Sequence, residues 1–203
     1  YGATLAKVAG RLTLRMANAA VLPFDFEYFT QTVEEYLADL MKMTDQLREK
    51  TASENRMIRE GLYEMAYDPT QTFITPSPKA EVPYINFAPL QNQVAALKNS
   101  MERYQTAMKT ASPDPLAQLE LNKLLMNIEK KLTREEGLPR RPWYKHHIYA
   151  PGFYTGYGVK TLPGVREAIE QRDFDEVQEQ IVILSEVLDG FIAELDKAAT
   201  LLK

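Results

Sequence analysis

Apolar residues recur every three or four positions along most of the chain, which is the spacing of one face of an α-helix. The pattern predicts a first helix over residues 3–20, which Pro23 ends because proline disfavours helical backbone in the preceding residue. A long second helix is predicted to run from Phe26 towards Met65. We expect a break in this second helix near residues 51–53.

Three further long helices are predicted from residue 89 onward. The first begins near Pro89, because proline is tolerated in a first helical turn. The second is expected to close at Gly137, since glycine readily takes the left-handed conformation that ends helices. The third keeps its apolar period to Leu202, and a short helix starting at Pro163 precedes it. The residues expected to cap helix N-termini are Asp25, Ser112 or Asp114, and Asp173 or Asp175.

These helices decide the expected fold class. The sequence contains no alternation of apolar and polar residues long enough to predict a β-strand, and no internal repeat. Helices with one apolar face must bury that face against one another. We therefore predict an all-α fold, an antiparallel helical bundle that forms a single domain over residues 1–203.

Two segments break the helical period. Residues 68–89 contain five prolines, which exclude a continuous helix. We interpret them as an extended arm that crosses the bundle and docks two aromatic anchors, and a mobile loop with incidental aromatics is the open alternative. Residues 138–164 are rich in proline, glycine and aromatic residues. We expect an ordered functional loop there, because disordered segments are poor in aromatics.

Composition narrows the function classes. The net charge of -4 and the pI of about 5.4 leave no basic surface for nucleic acid, so no nucleic-acid partner is expected. No apolar run approaches the ~18 residues that a membrane span needs. The absence of cysteine excludes disulfides and thiolate metal sites but leaves the cellular compartment open. Because the chain begins with Tyr1 rather than methionine, we expect a fragment or a processed piece.

The residues offer no active site of their own. His146 and His147 are adjacent, so on extended backbone their side chains point to opposite sides and do not chelate one ion. We expect one of them to be hydrogen-bonded inside the loop. The glycines at 152, 156 and 158 lack the Lys and Ser or Thr that complete a phosphate-binding loop.

The long loop nevertheless carries a cluster of aromatic and basic residues. Tyrosine combines an apolar ring with one polar group, which suits interfaces and pocket walls. We expect about half of the aromatic residues to hold the loop on the bundle. The remainder, with four basic residues, are candidates to line a pocket for an acidic group. The basic residues are Arg140, Arg141, Lys145 and Lys160.

Three stretches of the chain resemble the C-terminal domain of the glutamate carboxypeptidase II family, to which the transferrin receptor is related. The first is WYKHHIYAPGFYTGYGVKTLPG at residues 143–164. The second is the opening YGATLAKVAGRLTLRMANAAVLPFDF, in which Ala17-Asn18 and residues 21–25 match. The third is VPYINFAPLQN at residues 82–92. The stretches occur in the same order as in the family and cover nearly the whole chain.

The resemblance implies a transferrin receptor-like dimerisation domain appended to a zinc-dependent peptidase domain. In that family the peptidase domain, which would precede Tyr1, holds two zinc ions and the catalytic residues. This chain would then hold no metal and no catalytic residue, and would be inactive alone. It would build a homodimer, contact its own missing peptidase domain and reach over a bound peptide substrate. The parent would be a carboxypeptidase or aminopeptidase, with an extracytoplasmic location expected.

The resemblance also points to individual residues. In the family the long loop contributes a Lys-Tyr pair that holds the carboxylates of a C-terminal glutamate. Aligned without a gap through residues 148–151 and 163–164, the tyrosine falls on Tyr157 and the lysine on Gly156. Tyr157 is therefore the expected substrate-binding residue, with Lys160 as a substitute for the missing charge.

Two other readings of the chain stay open at this point. One is a module of a receptor-like or scaffold protein whose parent has lost catalysis. The other is an independent helical adaptor with no peptidase parent.

Overall fold

The computed structural model describes residues 1–68 and 70–202, so Pro69 of the predicted arm and Lys203 lie outside the described residues. The described chain is mostly helical, which confirms the predicted all-α class. Its α-helices are Gly2–Ala17 (α1), Phe26–Arg59 (α2), Leu62–Ala66 (α3), Ala88–Thr110 (α4), Pro115–Leu125 (α5), Pro163–Gln171 (α6) and Phe174–Leu201 (α7). Between α5 and α6 lie a short 3-10 helix, Ile128–Leu132, and two strands, Tyr149–Pro151 (β1) and Val159–Thr161 (β2).

The core forms around α7. This helix packs against α4, α5, α6 and the 3-10 helix. The helix α2 packs against α4, and its Phe26 and Phe29 rings also contact Phe191 of α7. Its buried face is the predicted apolar stripe, which includes Ile181, Leu188 and Leu195. Among the described residues, no helix is both long and apolar enough to cross a bilayer.

Aspartates begin three of the helices, as predicted. Asp25 accepts a hydrogen bond from the Tyr28 amide at 3.0 Å, and Asp173 accepts one from the Glu176 amide at 3.1 Å. Asp114, rather than Ser112, caps α5, where its carboxylate accepts from two amides of the first turn. Each carboxylate satisfies N–H groups that have no partner inside the helix.

The long second helix does not break where expected. Residues 51–53 are helical, and the Thr51 hydroxyl donates to the Leu47 carbonyl within the same helix at 2.7 Å. The buried Thr51 hydroxyl also accepts a hydrogen bond from Arg172 at the C-terminus of α6. Its polar group is therefore satisfied without a break in the helix. α2 ends instead before Gly61, whose φ of 68° is a left-handed conformation that glycine adopts freely.

The expected closure of the fourth helix at Gly137 is also wrong. α5 ends at Leu125, and residue 137 lies in a turn beyond the 3-10 helix. A glycine is still required there for a different reason. Its φ is 68°, and a Cβ atom would lie 2.3 Å from the Pro142 carbonyl oxygen. The sequence therefore marked a position that requires glycine, but the cause is the close approach of the Pro142 backbone and not the end of a helix.

The proline-rich arm is extended and docked on the bundle. The side-chain amide of Asn55 pairs with the backbone of Lys79, donating to its carbonyl at 2.8 Å and accepting from its amide at 2.9 Å. Farther along, Val82 and Phe87 are buried, whereas Tyr84 is exposed. The arm therefore uses one aromatic anchor of the expected pair, together with aliphatic contacts and a backbone clasp.

The apolar stripe of α1 is not part of the core. Within the described chain, no residue of α1 is buried, and Leu5, Val8 and Leu12 are exposed along one face. The segment after α1 is held to the bundle by Asn122, which donates to the Ala20 carbonyl at 2.9 Å. α1 thus has the amphipathic pattern of a packed helix, but within the described residues its apolar face is not buried against the bundle.

A second apolar face remains exposed on α5. Leu121 and Leu125 are buried against the bundle, while Leu116, Leu119 and Met126 are exposed on the opposite side. The exposed three are spaced by three and seven residues, so they share one face. The last helix, α7, buries most of its apolar residues, whereas α2 buries only four of its own and leaves the others partly buried or exposed.

Candidate functional site

The long loop folds into a short β-hairpin. β1 and β2 pair antiparallel, with Tyr149 opposite Thr161, Ala150 opposite Lys160 and Pro151 opposite Val159. Each strand has three residues, which is too short to produce an alternating pattern in the sequence. The strands of this loop were not foreseen from the sequence.

A buried ion pair holds the root of this hairpin. Only 2% of the Arg141 side chain is exposed, and its guanidinium donates to the Glu167 carboxylate of α6 at 2.6 Å. The same guanidinium donates to the Pro151 carbonyl at 2.7 Å. The second Glu167 oxygen accepts from the Phe153 amide at 2.7 Å. The pair therefore fixes the end of β1 against α6, because neither charge tolerates burial without its partners.

Residues on both sides of the hairpin reinforce this root. The Arg141 guanidinium lies 5.7 Å from the Tyr144 ring centroid and 5.9 Å from that of Phe153, within cation–π range.

The backbone is strained at both ends of the loop. Arg140 has a φ of 62° and Leu162 a φ of 47°, a left-handed conformation that costs a non-glycine residue ~1–3 kcal/mol. The surrounding contacts must offset that strain at both ends of the loop.

The tip of the hairpin, residues 152–158, is closed by its own backbone. The Gly152 amide donates to the Gly158 carbonyl at 2.8 Å. A Cβ on Gly152 would lie 2.1 Å from the Thr155 hydroxyl oxygen and 3.0 Å from Cγ of Lys160. The Lys160 stem therefore crosses directly over Gly152, and a larger residue at that position would displace it.

The two predicted site residues occupy different places on the hairpin. Tyr157 lies at the tip and is fully exposed. Lys160 lies in β2, and its ammonium is 2.7 Å from the Glu170 carboxylate of α6, with 22% of its side chain exposed. Gly156, where the resemblance places a lysine, has a φ of 62° and no atom within 4 Å of an added Cβ.

The four basic residues of the loop do not surround an open acid-binding pocket. Each of them has a carboxylate partner within the chain. The pairs are Arg140 with Glu176, Arg141 with Glu167, Lys145 with Glu135, and Lys160 with Glu170. The sequence analysis missed these partners because all four carboxylates lie outside the loop of residues 138–164, and three of them lie on α6 or α7. Glu167 was detectable, since it is a carboxylate among the apolar residues of α6.

The two histidines lie just before β1, and both are largely shielded from solvent. The His146 ring accepts hydrogen bonds from the Ile148 and Tyr149 amides, at 3.2 and 3.3 Å, which confirms the expected hydrogen bonding inside the loop. His147 is 3% exposed. Burial, helped by the positive charge of Arg134, lowers the His147 pKa to about 4. In the described part of the chain, no three metal-ligating side chains converge on one point.

Comparisons with known proteins extend these observations. A family model described as the transferrin receptor-like dimerisation domain matches residues 85–196. The chain is 29% identical over 190 residues to a probable glutamate carboxypeptidase of Arabidopsis thaliana, covering 87% of this chain and 22% of that protein. It is 24% identical over 208 residues to an aminopeptidase of Mus musculus, covering 97% of this chain and 23% of that protein.

A further relative differs in its name. The chain is 23% identical over 192 residues to an inactive zinc metalloprotease of Schizosaccharomyces pombe, covering 92% of this chain and 20% of that protein. The chain thus spans about a fifth of the length of such relatives.

Substituting Glu167→Gln should lower the free energy of unfolding by ~3 kcal/mol or more, because it leaves the Arg141 charge buried without its counter-charge. Urea unfolding followed by circular dichroism measures this change. The matched control is Glu135→Gln, which breaks an exposed ion pair and should cost less than ~1 kcal/mol. Equal effects of the two substitutions would contradict the proposed importance of the buried pair.

Stability should depend on pH through His147. A histidine titrates near 6.5 when unfolded and at about 4 here, so between these values the unfolded chain binds more protons. The free energy of unfolding should therefore fall as pH drops from 6.5 towards 4, by up to ~1.4 kcal/mol per unit. Urea unfolding at several pH values measures the slope. His147→Gln should reduce the slope. His146→Gln should reduce it less, because burial also lowers the His146 pKa but a nearby carboxylate of Glu129 opposes that effect. An unchanged slope in His147→Gln would refute this cause.

Proposed function

The chain belongs to the transferrin receptor-like dimerisation domain family, and from this premise we propose that it is the dimerisation and substrate-lid domain of a zinc-dependent exopeptidase. In this proposal the chain is inactive by itself. Its bundle joins two copies of the parent, and its hairpin reaches over the active site of a peptidase domain outside this chain.

The observation that carries the lid proposal is the construction of the hairpin. Its root is immobilised by the buried Arg141–Glu167 pair, while its tip exposes Tyr154 and Tyr157. A loop held firmly at its root with exposed rings at its tip suits a surface that closes over a ligand, because the backbone that carries the rings is already placed before binding.

Tyr157 is the proposed substrate-binding residue. Its hydroxyl has no hydrogen-bond partner among the described residues, so it is available to donate to a carboxylate of a peptide. Lys160 is the second candidate, but its ammonium must first leave Glu170. The two residues would therefore contribute unequally.

The proposed zinc ions would be held outside this chain. Across residues 1–68 and 70–202, no donor set of three His, Cys, Asp or Glu side chains could hold a metal ion. The peptidase domain of the parent would supply the ligands and the catalytic residues, and the hairpin would act only on the substrate.

The outer face of α5 is the proposed dimer contact. A helix that is apolar on two opposite faces is expected to be covered on both. One face of α5 is buried in the bundle, and the other exposes Leu116, Leu119 and Met126. A second copy of the chain would cover that face in a two-fold symmetric contact, which is the commonest oligomer geometry.

A non-catalytic parent is the second candidate function. It is favoured by the relative in Schizosaccharomyces pombe whose name describes it as inactive. Both candidates share the dimerising bundle, so they differ in the region that precedes Tyr1. The presence there of His, Asp and Glu residues able to hold zinc would support the peptidase, and their absence would support the receptor-like or scaffold module.

Replacing Tyr157 by Phe in the full-length protein should lower kcat/KM for peptides with a free carboxylate by ~10- to 150-fold. This corresponds to ~1.5–3 kcal/mol for one lost hydrogen bond to a charged group. Steady-state hydrolysis of short peptides measures this loss. Tyr154→Phe, which removes a neighbouring exposed hydroxyl, is the matched control and should have a smaller effect. An unchanged kcat/KM in Tyr157→Phe would remove Tyr157 from the site.

The isolated chain should form dimers at high micromolar concentration, since the exposed apolar face of α5 is lost from water on association. Analytical ultracentrifugation measures the mass. Leu119→Glu should weaken the dimer, while Val182→Glu, which alters an exposed apolar residue of α7, should not. Monomers throughout the concentration range would contradict autonomous dimerisation.

A further inference from the structure

The hairpin is almost free of charge. Residues 149–161 contain a single ionisable cation, Lys160, and no carboxylate. That cation is already paired with Glu170 at 2.7 Å, and its stem lies over Gly152. The surface that the hairpin presents therefore carries no unbalanced charge among the described residues.

What the hairpin does present is aromatic and aliphatic. Tyr154, Tyr157 and Val159 are exposed, and Phe153 is partly so. Tyrosine rings offer large apolar faces together with a neutral hydroxyl. Contact between such a surface and an apolar side chain is favourable, because both lose apolar area to water. A charged side chain would find only single hydrogen bonds there.

From these contacts we propose that the substrate residue facing the hairpin carries a large uncharged side chain, aromatic or aliphatic, and that an acidic side chain is disfavoured. The proposal rests on the lid function proposed above and specifies its substrate class. The Tyr157 hydroxyl remains available for the terminal carboxylate that a carboxypeptidase substrate has whatever its side chain.

The physical reason is the cost of removing a carboxylate from water. A desolvated carboxylate needs a counter-charge or several donors to offset that cost. Lys160 could supply the charge only by leaving Glu170, and a Glu170 carboxylate without its partner would then stand near the incoming acid. Both effects oppose an acidic substrate and leave an uncharged one unaffected.

The experiment measures kcat/KM of the full-length protein on peptides that differ only in the terminal residue. Glutamate, glutamine and tyrosine are compared, at the carboxyl end in one series and at the amino end in another. Glutamine and glutamate have nearly the same size, so their ratio isolates the charge. We expect glutamine and tyrosine to exceed glutamate by ~10-fold or more, as for one lost interaction with a charged group.

Two variants then alter the charge of the hairpin. Glu170→Gln releases Lys160. Gly156→Lys adds a cation where an added Cβ meets no atom within 4 Å, although the φ of 62° strains a non-glycine residue, so the fold of this variant is checked by circular dichroism. Each should raise the relative kcat/KM for glutamate by ~10-fold and leave that for tyrosine nearly unchanged. Glu135→Gln removes the same charge from an ion pair before the hairpin and should alter neither.

The outcomes separate the two proposals. Preference for glutamate, equal rates for glutamate and glutamine, or no response to Glu170→Gln and Gly156→Lys would overturn the substrate class and leave the lid domain intact. Hydrolysis of no peptide in either series would overturn the proposed peptidase function, and the substrate class with it.

Discussion

The structure of the loop depends on one constraint, which is that Arg141 and Glu167 are buried together. A buried guanidinium and a buried carboxylate are tolerated only when each finds charge and hydrogen-bond partners. Here the partners are each other, the Pro151 carbonyl and the Phe153 amide, so the pair dictates where the hairpin leaves the bundle. Because α6 packs on α7, this buried pair also links the hairpin to the core, together with the more exposed pairs Arg140–Glu176 and Lys160–Glu170.

This arrangement divides the loop into two parts with different physical properties. The root is desolvated, ion-paired and strained at Arg140 and Leu162. The tip is exposed, uncharged and aromatic. A loop of this kind can meet a ligand without losing much conformational entropy, because its direction is already determined. Away from the loop, α1 and α5 each expose an apolar face that the bundle does not cover.

Part of the fold was predictable because its causes are local. The aspartates at Asp25 and Asp114 accept from amides only a few residues away, and the helical period is a property of neighbouring side chains. Local signals were misread where a distant contact explains the residue. Thr51 suggested a break, but Arg172 and its own helix satisfy it, and Gly137 suggested a helix end, but Pro142 requires it.

By itself the sequence determined the all-α class and the starts of the long helices. Through family resemblance it also pointed to Tyr157 and Lys160 as candidate residues. Only the tertiary structure decided which charges are available to a ligand. Arg141 and Glu167 are separated by 26 positions, and Lys160 and Glu170 by 10. Pairing over such separations depends on how α6 is placed against the hairpin, and that placement follows from packing of the whole bundle rather than from any local pattern.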